Sequence, residues 1–205
     1  MTLLIASTNP GKIREITDIL SGAGAELVTL DRFPGVPEPE ETGETFAENA
    51  RLKALYYWER TGLPSVADDS GLEIDALDRM PGVQSARWHG SDYAVKFAKI
   101  YELLRERGAG GSPARFVAAV AFARNGRIEF ETTGVVEGRI APQPRGTHGF
   151  GYDPIFFYPP LGCTLAEVDG PAKAAVSHRG AAFRNFREYL VGRHLNRQPQ
   201  TAGGG

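Results

Sequence analysis

Apolar residues recur along this chain at two spacings, and the polar stretches between them punctuate the elements. Leu3–Ala6 is a short unbroken apolar run, the pattern of a buried strand, and Ile13, Ile16 and Leu20 share one face of a helix over Lys12–Leu20. Glu26–Leu30 suits a second strand, and Asp31–Gly43, rich in proline and glutamate, reads as an acidic loop. Thr45 followed by Glu48 is a capping-box pattern, and a helix over 46–60 follows with Phe46, Ala50, Ala54, Tyr57 and Trp58 on one side. Ser65–Ala67 reads as a strand running into Asp68-Asp69-Ser70-Gly71, with Leu72–Ala76 as a return strand. Ser91–Arg107 is a strong helix that turns Phe97, Ile100 and Leu104 inward and stops at Gly108. Ala114–Ala123 and Arg127–Ile140 flank Asn125-Gly126, the signature of a long hairpin. Pro142–Pro160 is a Gly/Pro/aromatic loop with a short strand inside it, and Ala181–His194 closes the chain as a helix with Phe183, Phe186 and Leu190 on its core face. This order mixes βα units with a hairpin, so the expected fold is α/β with a long mixed β-sheet and flanking helices.

Four stretches carry groups suited to chemistry. In Ser7-Thr8-Asn9-Pro10-Gly11-Lys12 a strand turns into a helix, where unpaired amides and the helix dipole favour an anion, Gly11 permits close approach and Lys12 adds a charge. A plain βα turn with a solvated lysine has the same sequence, and the nucleotide-binding P-loop is excluded because only its terminal Gly-Lys is present. Asp68 and Asp69 point to opposite faces if the strand continues, so one of them can face a cleft while the other braces the loop; carboxylates at a strand end also suit Mg²⁺, as do the acidic-loop residues Glu38, Glu40 and Glu41. Gly149-Phe150-Gly151-Tyr152-Asp153-Pro154 sets glycines around two aromatics, which frees a ring to stack on a base or simply makes a tight turn. Lys173, Ser177, His178 and Arg179 gather donors before the last helix, where the dipole disfavours a cation and Arg179 therefore calls for a partner.

Composition narrows the field. The chain has 205 residues, 41% hydrophobic and 23% charged, enough for a packed core in one large domain or two small lobes. A formal net charge of −2 argues against coating nucleic acid, which needs a basic field, and says nothing against one anionic small molecule. Cys163 is the single cysteine, so the chain makes no internal disulfide and no cysteine cluster for zinc. Met1–Ala6 has no basic flank and no long apolar segment follows, so the expectation is a cytoplasmic protein with no membrane partner. We expect a single unit over 1–195, with 196–205, which ends in three glycines, as a flexible tail.

Taken in order, these stretches resemble the inosine triphosphate pyrophosphatase (Ham1-like) family from Leu4 to about Leu190. The resemblance is carried by Ser7–Lys12, by Glu41-Thr42-Gly43 with Phe46, Glu48 and Asn49, and by Ala67-Asp68-Asp69-Ser70-Gly71-Leu72. It continues through Pro81-Gly82-Val83 with Ser85-Ala86-Arg87, Gly149–Phe156, and Ser177-His178-Arg179-Gly180. Pro171-Ala172 stand where members commonly carry acidic residues, and Trp88 where a tyrosine is frequent. The resemblance implies two lobes around a cleft, a homodimer, and Mg²⁺-dependent hydrolysis of ITP, dITP and XTP to monophosphate and pyrophosphate. It further implies that Ser7, Thr8, Asn9, Pro10, Gly11 and Lys12 hold the triphosphate, with Ser70 beside them. Asp69 is implied as the catalytic residue and as a metal ligand, with Glu41 or Glu40 completing the metal site. Phe150 then stacks on the base, Gly151 and Tyr152 adjoin it, and Asp153, Lys173, Ser177, His178 and Arg179 surround its edge.

Overall fold

The structure, a computed structural model, describes residues 1–195. The tail expected over 196–205 lies outside the described residues. Strand β1 (Thr2–Ile5) leads into helix α1 (Pro10–Leu20), and β2 (Glu26–Thr29) returns beside β1 in parallel register. Asn9 caps α1 and Pro10 opens it, a position where its missing amide costs nothing. Helix α2 (Phe46–Thr61) starts on the Thr45/Glu48 capping box, worth about 1 kcal/mol.

The chain then enters β3 (Ser65–Ile74), α3 (Tyr93–Glu106), β4 (Pro113–Arg124) and β5 (Arg127–Ile140). Short strands β6 (Phe156–Tyr158) and β7 (Cys163–Thr164) precede α4 (Gly170–Val176) and α5 (His178–Leu195). The sheet order is β2-β1-β3-β4-β5-β6-β7, with β1 parallel to β2 and β3 and every later neighbour antiparallel. The mixed α/β architecture is the one expected. Asn125 and Gly126, both at positive φ, make the tight turn that joins β4 to β5.

Two local expectations are corrected. There is no return strand after Gly71: β3 runs unbroken from Ser65 to Ile74, paired with Ala123 through Ala114 of β4. The last helix starts before Ala181, so His178 and Arg179 lie inside α5 and not ahead of it; Lys173 sits in the separate short helix α4, which Asp169 caps by accepting the Ala172 N–H.

Side-chain alternation along β3 and β4 sorts the core onto two faces. Val66, Ala118, Val120 and Phe122 pack with α1 and α5, against Ile16, Phe183 and Phe186. Ala67, Ala119, Ala121 and Ala123 pack against α2, where small side chains let the helix lie close to the sheet. The far halves of the long strands enter a third cluster with α3, containing Leu72, Ile100, Leu104, Phe116 and Phe156. The middle of β3, where the first two clusters give way to the third, carries Asp68, Asp69, Ser70 and Gly71. Gly134 of β5 sets the start of α5: a Cβ there would lie 2.0 Å from the His178 carbonyl oxygen, so the helix end that carries His178 and Arg179 rests directly on the sheet. No helix among the described residues is long and apolar enough to cross a membrane.

Candidate active site

One cavity of about 400 Å³ opens over the middle of β3. Its wall includes Ser7, Thr8, Asn9, Lys12, Glu41, Asp69, Ser70, Phe150, Gly151, Tyr152, Asp153, Lys173, His178 and Arg179. Residues from the first turn, the acidic loop, the strand, the aromatic loop and the last helix, far apart in sequence, thus meet in one place. Pro10, Gly11, Glu40 and Ser177 do not line it; Glu38, two positions before Glu40, does.

The two aspartates divide between the faces of the sheet because the strand continues through them. Asp68 turns toward α1 and α5, where its Oδ2 lies 2.9 Å from Lys12 Nζ and accepts from Arg179 Nε at 3.3 Å. Asp69 turns toward α2, accepting from Asn49 Nδ2 at 3.1 Å and pairing with Lys53 Nζ at 3.3 Å. Neither braces a loop; both line the cavity. Burial pushes the Asp68 carboxyl up, but Lys12, Arg179 and Lys53 outweigh it and hold the group well below the usual carboxylate range. For Asp69 burial wins: its pKa is raised, with Lys53 opposing and Glu41 adding to the rise.

The start of α1 differs from the expected anion cradle. Asn9 Oδ1 accepts from the Gly11 N–H at 2.9 Å and the Lys12 N–H at 3.1 Å, and the Asn9 carbonyl takes the Ile13 N–H. The helix-start donors are spent on the cap, which leaves Lys12 and the dipole to attract an anion. Gly11 serves the aromatic loop instead: a Cβ there would lie 2.7 Å from Phe150 Cδ1, so the ring rests on that glycine.

Two cations approach the Phe150 ring, with Lys173 Nζ 4.5 Å and the Arg179 guanidinium 5.3 Å from its centroid. Asp153 Oδ2 fixes the loop by accepting the Phe150 N–H at 2.8 Å and Lys173 Nζ at 2.6 Å. Glu15 of α1 accepts from Lys173 at 2.9 Å and from Arg179 Nη1 at 2.6 Å. Arg179 Nη2 donates to Ser70 Oγ at 2.8 Å. These acceptors explain a cation in the first turn of α5. Ser177 caps that helix through the Gly180 N–H at 2.9 Å. His178 stacks on Phe116 with centroids 4.7 Å apart, and burial, with Arg179 and Lys173 nearby, lowers its pKa well below the usual value, so the imidazole is neutral. Its buried Nδ1 and the Asp68 Oδ1 have no hydrogen-bond partner among the described residues.

Sequence reading singled out neither Lys53 nor Glu15. Both occupy polar positions of amphipathic helices, where the pattern says solvated. One signal was available: Lys53 falls one helical turn after Asn49, placing both on one face of α2.

Whether the residues present suit a divalent metal turns on Lys53. No three acidic or histidine side chains converge among the described residues. Two carboxylates do share a cation: Lys53 Nζ lies 2.6 Å from Glu41 Oε1 and 3.3 Å from Asp69 Oδ1. Two hard oxygen donors beside a cavity fit Mg²⁺, which takes one or two carboxylates and completes its shell with water and phosphate oxygens.

The Asp68 network carries a stability prediction. Its pKa and that of Glu15 are depressed in the folded state; burial pushes Glu15 up, but Arg179 and Lys173 pull it down further. A depressed carboxyl stabilises the fold above its unfolded value, about 4, and that stabilisation is lost as pH falls through the folded value. The share of the wild-type urea midpoint that Asp68 and Glu15 supply, read against Asp68→Asn, should therefore hold from neutrality down to about pH 4 and shrink below it. Asp68→Asn should start lower and fall less. Parallel curves for the two proteins would show that the pair does not behave as described.

Sheet and cavity define an α/β protein whose polar cavity gathers buried cations and carboxylates over the middle of β3. The chain belongs to the Ham1 family, whose model matches residues 3–189. A dITP/XTP pyrophosphatase of Halorhodospira halophila is 46% identical over 188 residues, covering 90% of this chain and 94% of its own. One from Geobacter sulfurreducens is 44% identical over 190 residues, covering 92% and 96%. A HAM1 protein from Coxiella burnetii has a solved structure that matches with a TM-score of 0.87 at 39% identity, over 94% of this chain and 99% of that one.

Proposed function

We propose that this chain hydrolyses the deaminated purine nucleoside triphosphates ITP, dITP and XTP to monophosphate and pyrophosphate, with Mg²⁺, as a cytoplasmic homodimer that cleanses the nucleotide pool. The observation that carries the reading is that one cavity joins Lys12 and Asp69 to Phe150, Lys173 and Arg179. A nucleotide brings a polyanion for such cations and a base for such a ring. The homodimer rests on the family resemblance alone, and the substrate class also on the names of the relatives.

The triphosphate lies along Ser7, Thr8, Asn9 and Lys12, with Lys53 and Arg87 on the far side. Asp69 and Glu41 would hold Mg²⁺, which when bound would offset phosphate charge and stabilise the charge that develops on transfer. Asp69 orients the attacking water by accepting its hydrogen bond. Asn49 and Lys53 hold that carboxylate in place before substrate arrives, so little reorganisation remains for the reaction itself.

At the other end Phe150 stacks on the base, and Gly151 and Tyr152 shape the walls around it. Lys173 and Arg179 donate to the edge, held in position by Asp153 and Glu15. Donors facing the 6-position favour a keto oxygen and leave an amino group without an acceptor, a mismatch worth up to about 10⁴-fold when the site is buried. The neutral His178 with its unpartnered Nδ1 adds a group that hydrogen-bonds without adding charge.

Product analysis tests this. With ITP and Mg²⁺ the chain should yield IMP and pyrophosphate and should act far more slowly on ATP. IDP with orthophosphate would identify a phosphatase, and binding without turnover a sensor. Faster turnover of pyrimidine triphosphates would shift the substrate class.

A further inference from the structure

Lys96 is the most deeply buried cation of the described chain that lies outside the cavity wall, with its side chain in α3 fully enclosed. No carboxylate among the described residues pairs with it. Its ammonium donates to the backbone carbonyls of Ser85 at 3.1 Å and Ala86 at 2.7 Å, and lies over the Tyr93 ring at 4.5 Å. Tyr152 donates its hydroxyl to the same Ser85 carbonyl at 2.9 Å. A buried charge is a poor way to fill space, because a hydrocarbon of the same length packs as well without losing hydration. What an ammonium adds is direction: it turns two successive carbonyls inward and fixes the backbone that carries them.

The next residue on that backbone is Arg87, whose Nη1 donates to Glu41 Oε2 at 2.5 Å. Glu41 then shares Lys53 with Asp69. Arg87 is otherwise half exposed and lies in a turn, where its N–H donates to the Gln84 carbonyl at 2.8 Å and its carbonyl accepts the Gly90 N–H at 3.1 Å, so the Lys96 clamp acts together with these turn bonds on its direction.

We propose that Lys96 is a positioning residue for the carboxylate end of the cavity: by clamping the Ser85 and Ala86 carbonyls it aims Arg87 at Glu41, and so holds that carboxylate where it meets a divalent cation. The inference deepens the hydrolytic reading and rests on its metal site. Lys96 also meets the aromatic loop, since Tyr152 donates to the same Ser85 carbonyl, whereas Glu15 and Asp153 hold Lys173 and Arg179 without it.

The test uses the whole chain and a readout that needs no turnover. Mn²⁺ binding is measured by loss of its free-ion resonance signal, with inorganic pyrophosphate present, for wild type and Lys96→Met. Removing a supporting contact behind a metal ligand weakens binding by about tenfold or more, and about tenfold is expected here. The ratio of ITP to ATP turnover should not change, which separates positioning of the carboxylates from general loosening. In an Arg87→Ala background, Lys96→Met should weaken Mn²⁺ no further, since its route to Glu41 is gone. Equal affinities for wild type and Lys96→Met, at any strength, overturn the proposal, as does a full second loss in the Arg87→Ala background.

Should Lys96→Met fail to fold, Tyr152→Phe removes the other donor to the Ser85 carbonyl. It should weaken Mn²⁺ in the same direction and only while Arg87 is present; unchanged binding overturns the clamp. Weakened Mn²⁺ binding in a protein that releases no pyrophosphate from ITP sustains the clamp and overturns the hydrolytic reading. Normal turnover with unaltered binding does the reverse.

Discussion

Asp69→Asn should reduce pyrophosphate release by about three orders of magnitude or more while nucleotide binding persists. The unusual part is the expected stability. Burial raises the pKa of Asp69, with Lys53 only partly offsetting it. A carboxyl whose folded pKa lies above its unfolded one favours folding in the protonated form, and that contribution is lost as pH rises through the folded value. At neutral pH the ionised group therefore weighs against the fold. An amide of the same shape removes that cost, and Lys53 keeps Glu41 at 2.6 Å. The variant should melt no lower than wild type while being nearly inert. Rates from pyrophosphate release, affinity from equilibrium dialysis and midpoints from thermal unfolding are measured together. A rate close to wild type removes Asp69 from the mechanism. A large fall in the melting midpoint would mean that its role is structural.

The same residue shows what a sequence read alone yields. Thr45 and Glu48 announced α2, and Asn125-Gly126 announced the β4–β5 hairpin, because caps and tight turns are settled by neighbours a few residues apart. Asp68-Asp69-Ser70-Gly71 suggested a turn for the same local reason. It is instead the centre of a strand, held there by cations from other elements: Lys12, Lys53 and Arg179. No local window contains that information. The opposite facing of the two aspartates was legible, since strand geometry dictates it, but that both would line one cavity was not. The expected amides of the α1 turn failed for a small reason: the Asn9 side chain that marks the helix start also consumes the donors there. Lys53, Glu15 and Lys96 escaped notice because a partnered charge and a solvated one look alike in a helical pattern. Only the partners distinguish them.

Arg179→Ala should have the largest combined effect, and its two components separate. The guanidinium serves three acceptors in different directions: Glu15 at 2.6 Å, Ser70 at 2.8 Å and Asp68 at 3.3 Å. Removing it leaves the buried Asp68 with Lys12 alone on that side and the half-buried Glu15 with Lys173 alone. Breaking a buried ion pair by deleting one partner typically costs about 3–5 kcal/mol. The shared partners Lys12 and Lys173 put the expected loss toward the lower end, still a large share of the stability of a domain. Lysine should not restore it, since one ammonium does not reproduce a planar fork spanning three acceptors. The second component is selectivity. Phe150 loses one of the two cations near its ring, and the base edge loses a donor that a keto group would satisfy and an amino group would not. The preference for ITP over ATP should fall sharply, measured as a ratio of kcat/KM values below the lowered melting midpoint. Free guanidinium at low concentration, filling the space the side chain leaves, should recover part of that ratio without restoring the midpoint in proportion. If the ratio matches wild type while the midpoint falls, Arg179 is a counter-ion for Asp68 and Glu15 only, and recognition of the base rests on Lys173 and His178.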